Sequence, residues 1–129
     1  MSRLKNLFKK DENKLIVFIT AGFPKKESTE DLVLQAIEGG ADMIEIGIPF
    51  SDPQADGPII QRASEIALSN GISLSIIFDQ VRSIRKKTDI PIALMGYYNP
   101  ILAYGIDKFL IDCKTSQVDG IILPDLPLD

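Results

Sequence analysis

The feature that most constrains this chain is its alternation of short apolar runs with amphipathic stretches of helical length. Leu15-Ile16-Val17-Phe18-Ile19-Thr20 is a near-continuous apolar run closed by Ala21-Gly22-Phe23-Pro24, and comparable runs stand at Met43 to Ile48, Ile90 to Gly96 and Gly120 to Leu123. Runs this short, with little polar alternation, belong to strands covered on both faces, the habit of parallel sheets. Between them the spacing predicts helices. Ser28 or Thr29 can cap one whose inward stripe is Leu32, Val33, Ala36 and Ile37 and which Gly39-Gly40 stops. Further helices are expected over Pro58 to Ser69, Ser75 to Lys87 and Gly105 to Lys114, with a short one at Leu4 to Lys10. Strands separated by helices imply right-handed crossovers and an α/β parallel sheet. A closed eight-stranded β/α barrel needs about 250 residues, and this chain has 129. The expectation is one structural unit spanning residues 1–129, part of a longer barrel or a half-barrel completed by something else.

The strand at Met43 to Ile48 carries a charge. Alternation puts Ile44, Ile46 and Ile48 on one face and Met43, Glu45 and Gly47 on the other. An ionised Glu45 inside a covered sheet is costly unless it is paired or reaches a solvated cavity, so it is either a structural ion-pair partner or a catalytic group. The loop that follows packs Pro49, Ser51-Asp52-Pro53 and Asp56-Gly57-Pro58 into a stretch longer than a routine strand-to-helix connection. Pro58 suits a first helical turn, which gives Asp56 an ordinary role as an acid near a helix N-terminus. Asp56 also leaves the carboxyl end of the strand, where active sites of parallel α/β proteins gather, and two carboxylates in different surroundings can divide acid and base work.

Composition removes other chemistries. With no histidine and one cysteine, Cys113, the chain holds no Ser-His-Asp triad, no Cys-His pair and no usual Cys/His zinc site, so no metal is expected. Proton transfer falls to Asp, Glu, Lys or Tyr. Cys113 is expected to pack, and the start Met1-Ser2-Arg3-Leu4-Lys5 suggests a soluble cytoplasmic protein without membrane attachment. Fourteen basic against 18 acidic residues, net charge −4 and pI near 4.8, argue against a nucleic-acid surface. Arg85-Lys86-Lys87 reads as a basic helix end, and neither a Walker pattern nor GxGxxG occurs.

Phe18 to Pro24, Glu45-Ile46-Gly47-Ile48-Pro49-Phe50-Ser51-Asp52-Pro53, Ala55-Asp56-Gly57-Pro58, Pro91 to Asn99, Gly105-Ile106-Asp107 and Gly120 to Pro127 together resemble, in one register, the N-terminal half of the tryptophan synthase α subunit family. The resemblance implies a (β/α)8 TIM barrel of which about four strands are present. It implies a carbon–carbon lyase that cleaves indole-3-glycerol phosphate to indole and glyceraldehyde 3-phosphate in tryptophan biosynthesis, with Glu45 transferring protons and Asp56 as the second catalytic carboxylate. Phe18, Leu94, Tyr97, Ile122 and Pro124 would then line the indole pocket, although apolar residues on barrel strands are equally often core. No cofactor is implied in this subunit; pyridoxal phosphate would belong to a partner β subunit in an α2β2 tetramer. Asp52, Pro53 and Asn99 would face that partner, or serve only as turn residues.

In that family the phosphate site, a mobile loop and part of the pocket come from the second half of the barrel. These residues alone are therefore expected to be inactive or nearly so. A second reading is a non-catalytic half-barrel module that only docks on and activates a β subunit. A third is another phosphate-sugar barrel enzyme on the same scaffold.

Overall fold

The computed structural model describes residues 2–127. Four apolar runs become four strands, β1 (Ile16–Thr20), β2 (Met43–Gly47), β3 (Ile92–Met95) and β4 (Gly120–Ile122), in one sheet of that order with every pair parallel. Helix α1 (Arg3–Leu7) precedes β1, α2 (Ser28–Glu38) links β1 to β2, α3 (Pro58–Ser69) and α4 (Leu74–Arg85) link β2 to β3, and α5 (Tyr98–Tyr104) and α6 (Ile106–Thr115) link β3 to β4.

Register fixes the two faces. Phe18, Glu45, Ala93 and Gly120 stand side by side at one level, and Thr20, Gly47, Met95 and Ile122 at the next. Because neighbours in register point the same way, these residues share a face, and Ile19, Ile44, Ile46, Ile92 and Leu94 occupy the other. That second face is the core: its isoleucines and Leu94 pack with Val33, Ala67, Ile77, Phe78, Val81 and Ile84 of the helices. Each fully buried side chain of this kind contributes about 1.5–3 kcal/mol of transfer free energy. Cys113 joins this core, and burial pushes its thiol up to about 11.

Helix ends follow local chemistry in some places and distant partners in others. Pro58 opens α3 as expected, and the Ser73 hydroxyl caps α4 by accepting from the Ile76 N–H at 3.3 Å. The expected Ser28 or Thr29 cap of α2 is not formed. Thr29 lies inside the helix, buried, and accepts from the Gly22 N–H at 3.0 Å, tying the loop after β1 to α2. Helix α5 is an addition to the expected elements. Pro100 sits in its first turn, where a missing N–H costs nothing, and the Tyr98 N–H donates to Asp125 Oδ1 at 3.0 Å from the loop after β4. Gly105, at φ +106°, turns the chain from α5 into α6, a conformation that L side chains avoid.

At the amino ends of the strands, Arg85 is not the exposed basic helix end that its position suggests. Its guanidinium pairs with Asp119 at 2.6 Å, the two side chains being 5% and 7% exposed. Asp119 also accepts from the Ile92 N–H at 2.9 Å, and Arg3 of α1 reaches Asp119 and Asp89. This network fastens α1 across the end of the sheet, with Leu4 lying against Gly120. Among the described residues β1 and β4 each pair with one neighbour only, so both sheet edges are open. No described helix is long and apolar enough to cross a membrane.

Candidate active site

Glu45 sits at the middle of β2 and is its one residue that is not buried. Its face of the sheet is the one away from the helices, between Phe18 of β1 and Ala93 of β3. Among the described residues no Lys or Arg forms a salt bridge with it, and its carboxylate makes no side-chain hydrogen bond. The structural ion-pair alternative therefore has no support among these residues. A carboxylate held on a rigid central strand, partly solvated and unpaired, is free to exchange a proton with a bound molecule.

One level further along the strands is a narrow cleft lined by Phe18, Thr20, Gly47, Asp56, Met95 and Tyr97, with Ile60 and Ser64 of α3 behind. Phe18 connects the two carboxylates: its Cα is in register with Glu45, and its ring lies over Gly47 beside Asp56. Gly47 is required there, because a Cβ would overlap the ring. Tyr97, buried between β3 and α5, packs at a tilt against Phe50 with ring centroids 5.6 Å apart and accepts a hydrogen bond from the Ala55 N–H at 2.9 Å. Burial, and then the negative charge of Asp56 close to its hydroxyl, push the Tyr97 phenol above its ordinary range. From α3, the Gln61 side-chain amide donates to the Asp56 carbonyl at 2.9 Å.

Of the residues singled out from sequence, Phe18, Asp56 and Tyr97 meet in this cleft, and Glu45 shares its face. Leu94 does not, and the expectation is corrected: it belongs to the buried core on the helix side, because alternation turns it away from Glu45. Met95, its neighbour, lines the cleft instead. Ile122 is on the right face but 37% exposed at the open edge of β4, and Pro124 beyond it is exposed; neither reaches the cleft. Asp52 and Asn99 are exposed, and Pro53 half-buried, on the carboxyl side of the sheet. Sequence reading missed Thr20, Met95 and Gln61. Strand alternation could have found the first two; nothing local marks Gln61. A larger apolar cavity of about 310 Å³, lined by Ile48, Pro49, Leu68, Ile72, Pro100 and Ala103 among others, contains no carboxylate and is ill suited to proton transfer. No group of three or more His, Cys, Asp or Glu among the described residues could hold a metal ion.

Comparison with known proteins bears on what this arrangement serves. The family model described as tryptophan synthase alpha chain matches residues 4–129. The tryptophan synthase alpha chain of Caldanaerobacter subterraneus subsp. tengcongensis is 54% identical over 98% of this chain and 48% of its own length, and that of Christiangramia forsetii 46% identical over 100% of this chain and 50% of its own. Among solved structures, tryptophan synthase subunit alpha from Legionella pneumophila superposes with a TM-score of 0.94 at 44% identity, covering 98% of this chain and 50% of that one. A tryptophan synthase complex from Pyrococcus furiosus gives 0.82 at 48% identity, covering 88% and 47%. The chain spans about half the length of the curated relatives it matches.

Proposed function

This chain belongs to the tryptophan synthase alpha chain family, and from that premise we propose that it supplies the catalytic carboxylates of a lyase acting on indole-3-glycerol phosphate. In this reading Glu45 delivers a proton to C3 of the indole. The ring becomes a cationic indolenine, and the bond from C3 to the side chain breaks, its electron pair returning to the ring to give indole. The adjacent side-chain hydroxyl loses its proton to the Glu45 carboxylate as its carbon becomes the aldehyde of glyceraldehyde 3-phosphate, so the carboxylate ends as it began. Asp56 accepts the indole N–H and balances the positive charge as it grows, a form of stabilisation directed at the transition state.

The observation that carries the reading is the shared face: an unpaired Glu45 in mid-strand, with Phe18 beside it in register and its ring reaching the cleft that Asp56 and Tyr97 line. Groups for the substrate phosphate would come from the remainder of a full-length barrel. The β subunit, holding pyridoxal phosphate in an α2β2 assembly, would dock where Asp52, Pro53 and Asn99 are presented, with no cofactor needed in this subunit and the cytoplasm as its place. The relative from Pyrococcus furiosus, solved as a tryptophan synthase complex, supports a partner of this kind.

The test is indole release from indole-3-glycerol phosphate, measured for the 129-residue chain and for a fusion to the second half of the Caldanaerobacter relative. The chain alone should be nearly inert. The fusion should be active, and Glu45→Gln or Asp56→Asn in it should lower kcat about 10²- to 10⁴-fold. A fusion whose Glu45→Gln form keeps its rate would overturn the reading.

A further inference from the structure

Asp56 lies on a loop with no regular structure, its flanking residues Ala55 and Gly57 exposed, yet a catalytic carboxylate must be held to within a fraction of an ångström. Two side chains from outside that loop grip its backbone, Tyr97 at the N-cap of α5 and Gln61 of α3. The Tyr97 hydroxyl oxygen accepts the N–H of Ala55, the residue just before Asp56, at 2.9 Å. The Gln61 amide, in the first turn of α3, donates to the Asp56 carbonyl at 2.9 Å and to the Pro53 carbonyl at 3.5 Å.

We propose that Gln61 and Tyr97 are positioning residues that fix Asp56 in the cleft by holding the backbone on both sides of its side chain. Each anchor is itself immobilised. Tyr97 is 4% exposed and packed against Phe50, and Gln61 sits in the first turn of a helix that Pro58 starts. The same hydroxyl lies close enough to Asp56 for the negative charge of that residue to help hold the Tyr97 proton on. The Ala55 N–H before the Asp56 side chain and the Asp56 carbonyl after it are thus each held from outside the loop, the first by the phenol and the second by Gln61. Loss of the Gln61 donor leaves the Asp56 carbonyl without that partner and allows the loop to swing, moving the Asp56 charge away from the phenol.

The proposal gives Asp56 its importance through the functional reading above, but the grip can be measured without substrate. The charged groups that face the Tyr97 hydroxyl are Asp56 and, as a weaker contributor, Asp125. In the 129-residue chain carrying ¹³C-labelled tyrosine, the Tyr97 phenol is titrated by NMR, its signal assigned by its loss in Tyr97→Phe. Asp56→Asn should bring the midpoint down towards about 10, the value of a free tyrosine. Gln61→Ala, and Gln61→Met, which keeps the length and removes the donor, should bring it down in the same direction and speed Ala55 amide exchange about tenfold. The urea midpoint should stay near wild type, since Gln61 is only partly buried. Either Gln61 variant leaving both the phenol midpoint and Ala55 exchange unchanged overturns the proposal. A moved midpoint together with an active Asp56→Asn fusion would leave the grip standing and remove the functional reading instead.

Discussion

At the scale of single residues, the charges differ sharply in what they are worth. Asp119 and Arg85 are almost completely removed from water, while Asp89, which also meets Arg3, is 88% exposed. Removing one partner of a buried pair strands the other charge, at a cost of about 3–5 kcal/mol. An exposed pair contributes about 0–1 kcal/mol. Asp119→Asn should therefore lower the stability measured by urea unfolding several-fold more than Asp89→Asn, and equal effects would mean that Arg85 finds solvent. Sequence could not show this. Arg85 occupies the last turn of an amphipathic helix, where a basic residue is favourable through the dipole alone. Its burial depends on Asp119, which the chain brings back only after two more helices and a strand. Leu94 teaches a related lesson. Alternation along a strand is legible in any apolar run, but which parity faces Glu45 is settled by register across β2 and β3.

At the scale of elements, the pair α5 and α6 carries the titrations with the widest consequence. Tyr104 of α5 donates its hydroxyl to Asp112 of α6, and burial, with that bond next, pushes the phenol up to about 12. Cys113, also on α6, is raised from 9.0 to about 11 by burial. A group whose folded pKa is raised gives its stabilisation in full below the unfolded value and loses it as pH rises through the folded one. The chain should thus hold its stability up to about pH 9 and lose it progressively to about pH 11 and 12 as these groups ionise. Urea midpoints followed from pH 8 upward should fall less steeply in Tyr104→Phe and in Cys113→Ala, although the latter begins lower because it leaves a small cavity. An unchanged slope in both variants would exclude these groups. Helix α5 itself was not legible, since Tyr98-Asn99-Pro100 reads as a turn and the Asp125 that satisfies its first N–H lies beyond β4.

At the scale of the molecule, the sheet of the described residues is open at both edges. Ile16 is 43% exposed on β1, and Ile121 and Ile122 are 38% and 37% exposed on β4. Open edges with apolar side chains invite pairing with other chains. The 129-residue chain should bind the dye ANS and show concentration-dependent association in sedimentation, and the fusion to a second half-barrel should lose both properties. What the amino-acid sequence determined by itself was whatever depends on near neighbours: strand and helix alternation, the apolar side of each element, the start of α3 at Pro58, and the two carboxylates, one in mid-strand and one on the loop after it. Only the tertiary structure decided that Phe18 bridges those carboxylates, that Gln61 and Tyr97 grip the loop, and that Arg85 is buried against Asp119. The reason is physical. Periodicity reports how often a side chain turns away from water, whereas a hydrogen bond or an ion pair needs a particular partner, and these partners meet only once the strands are in register.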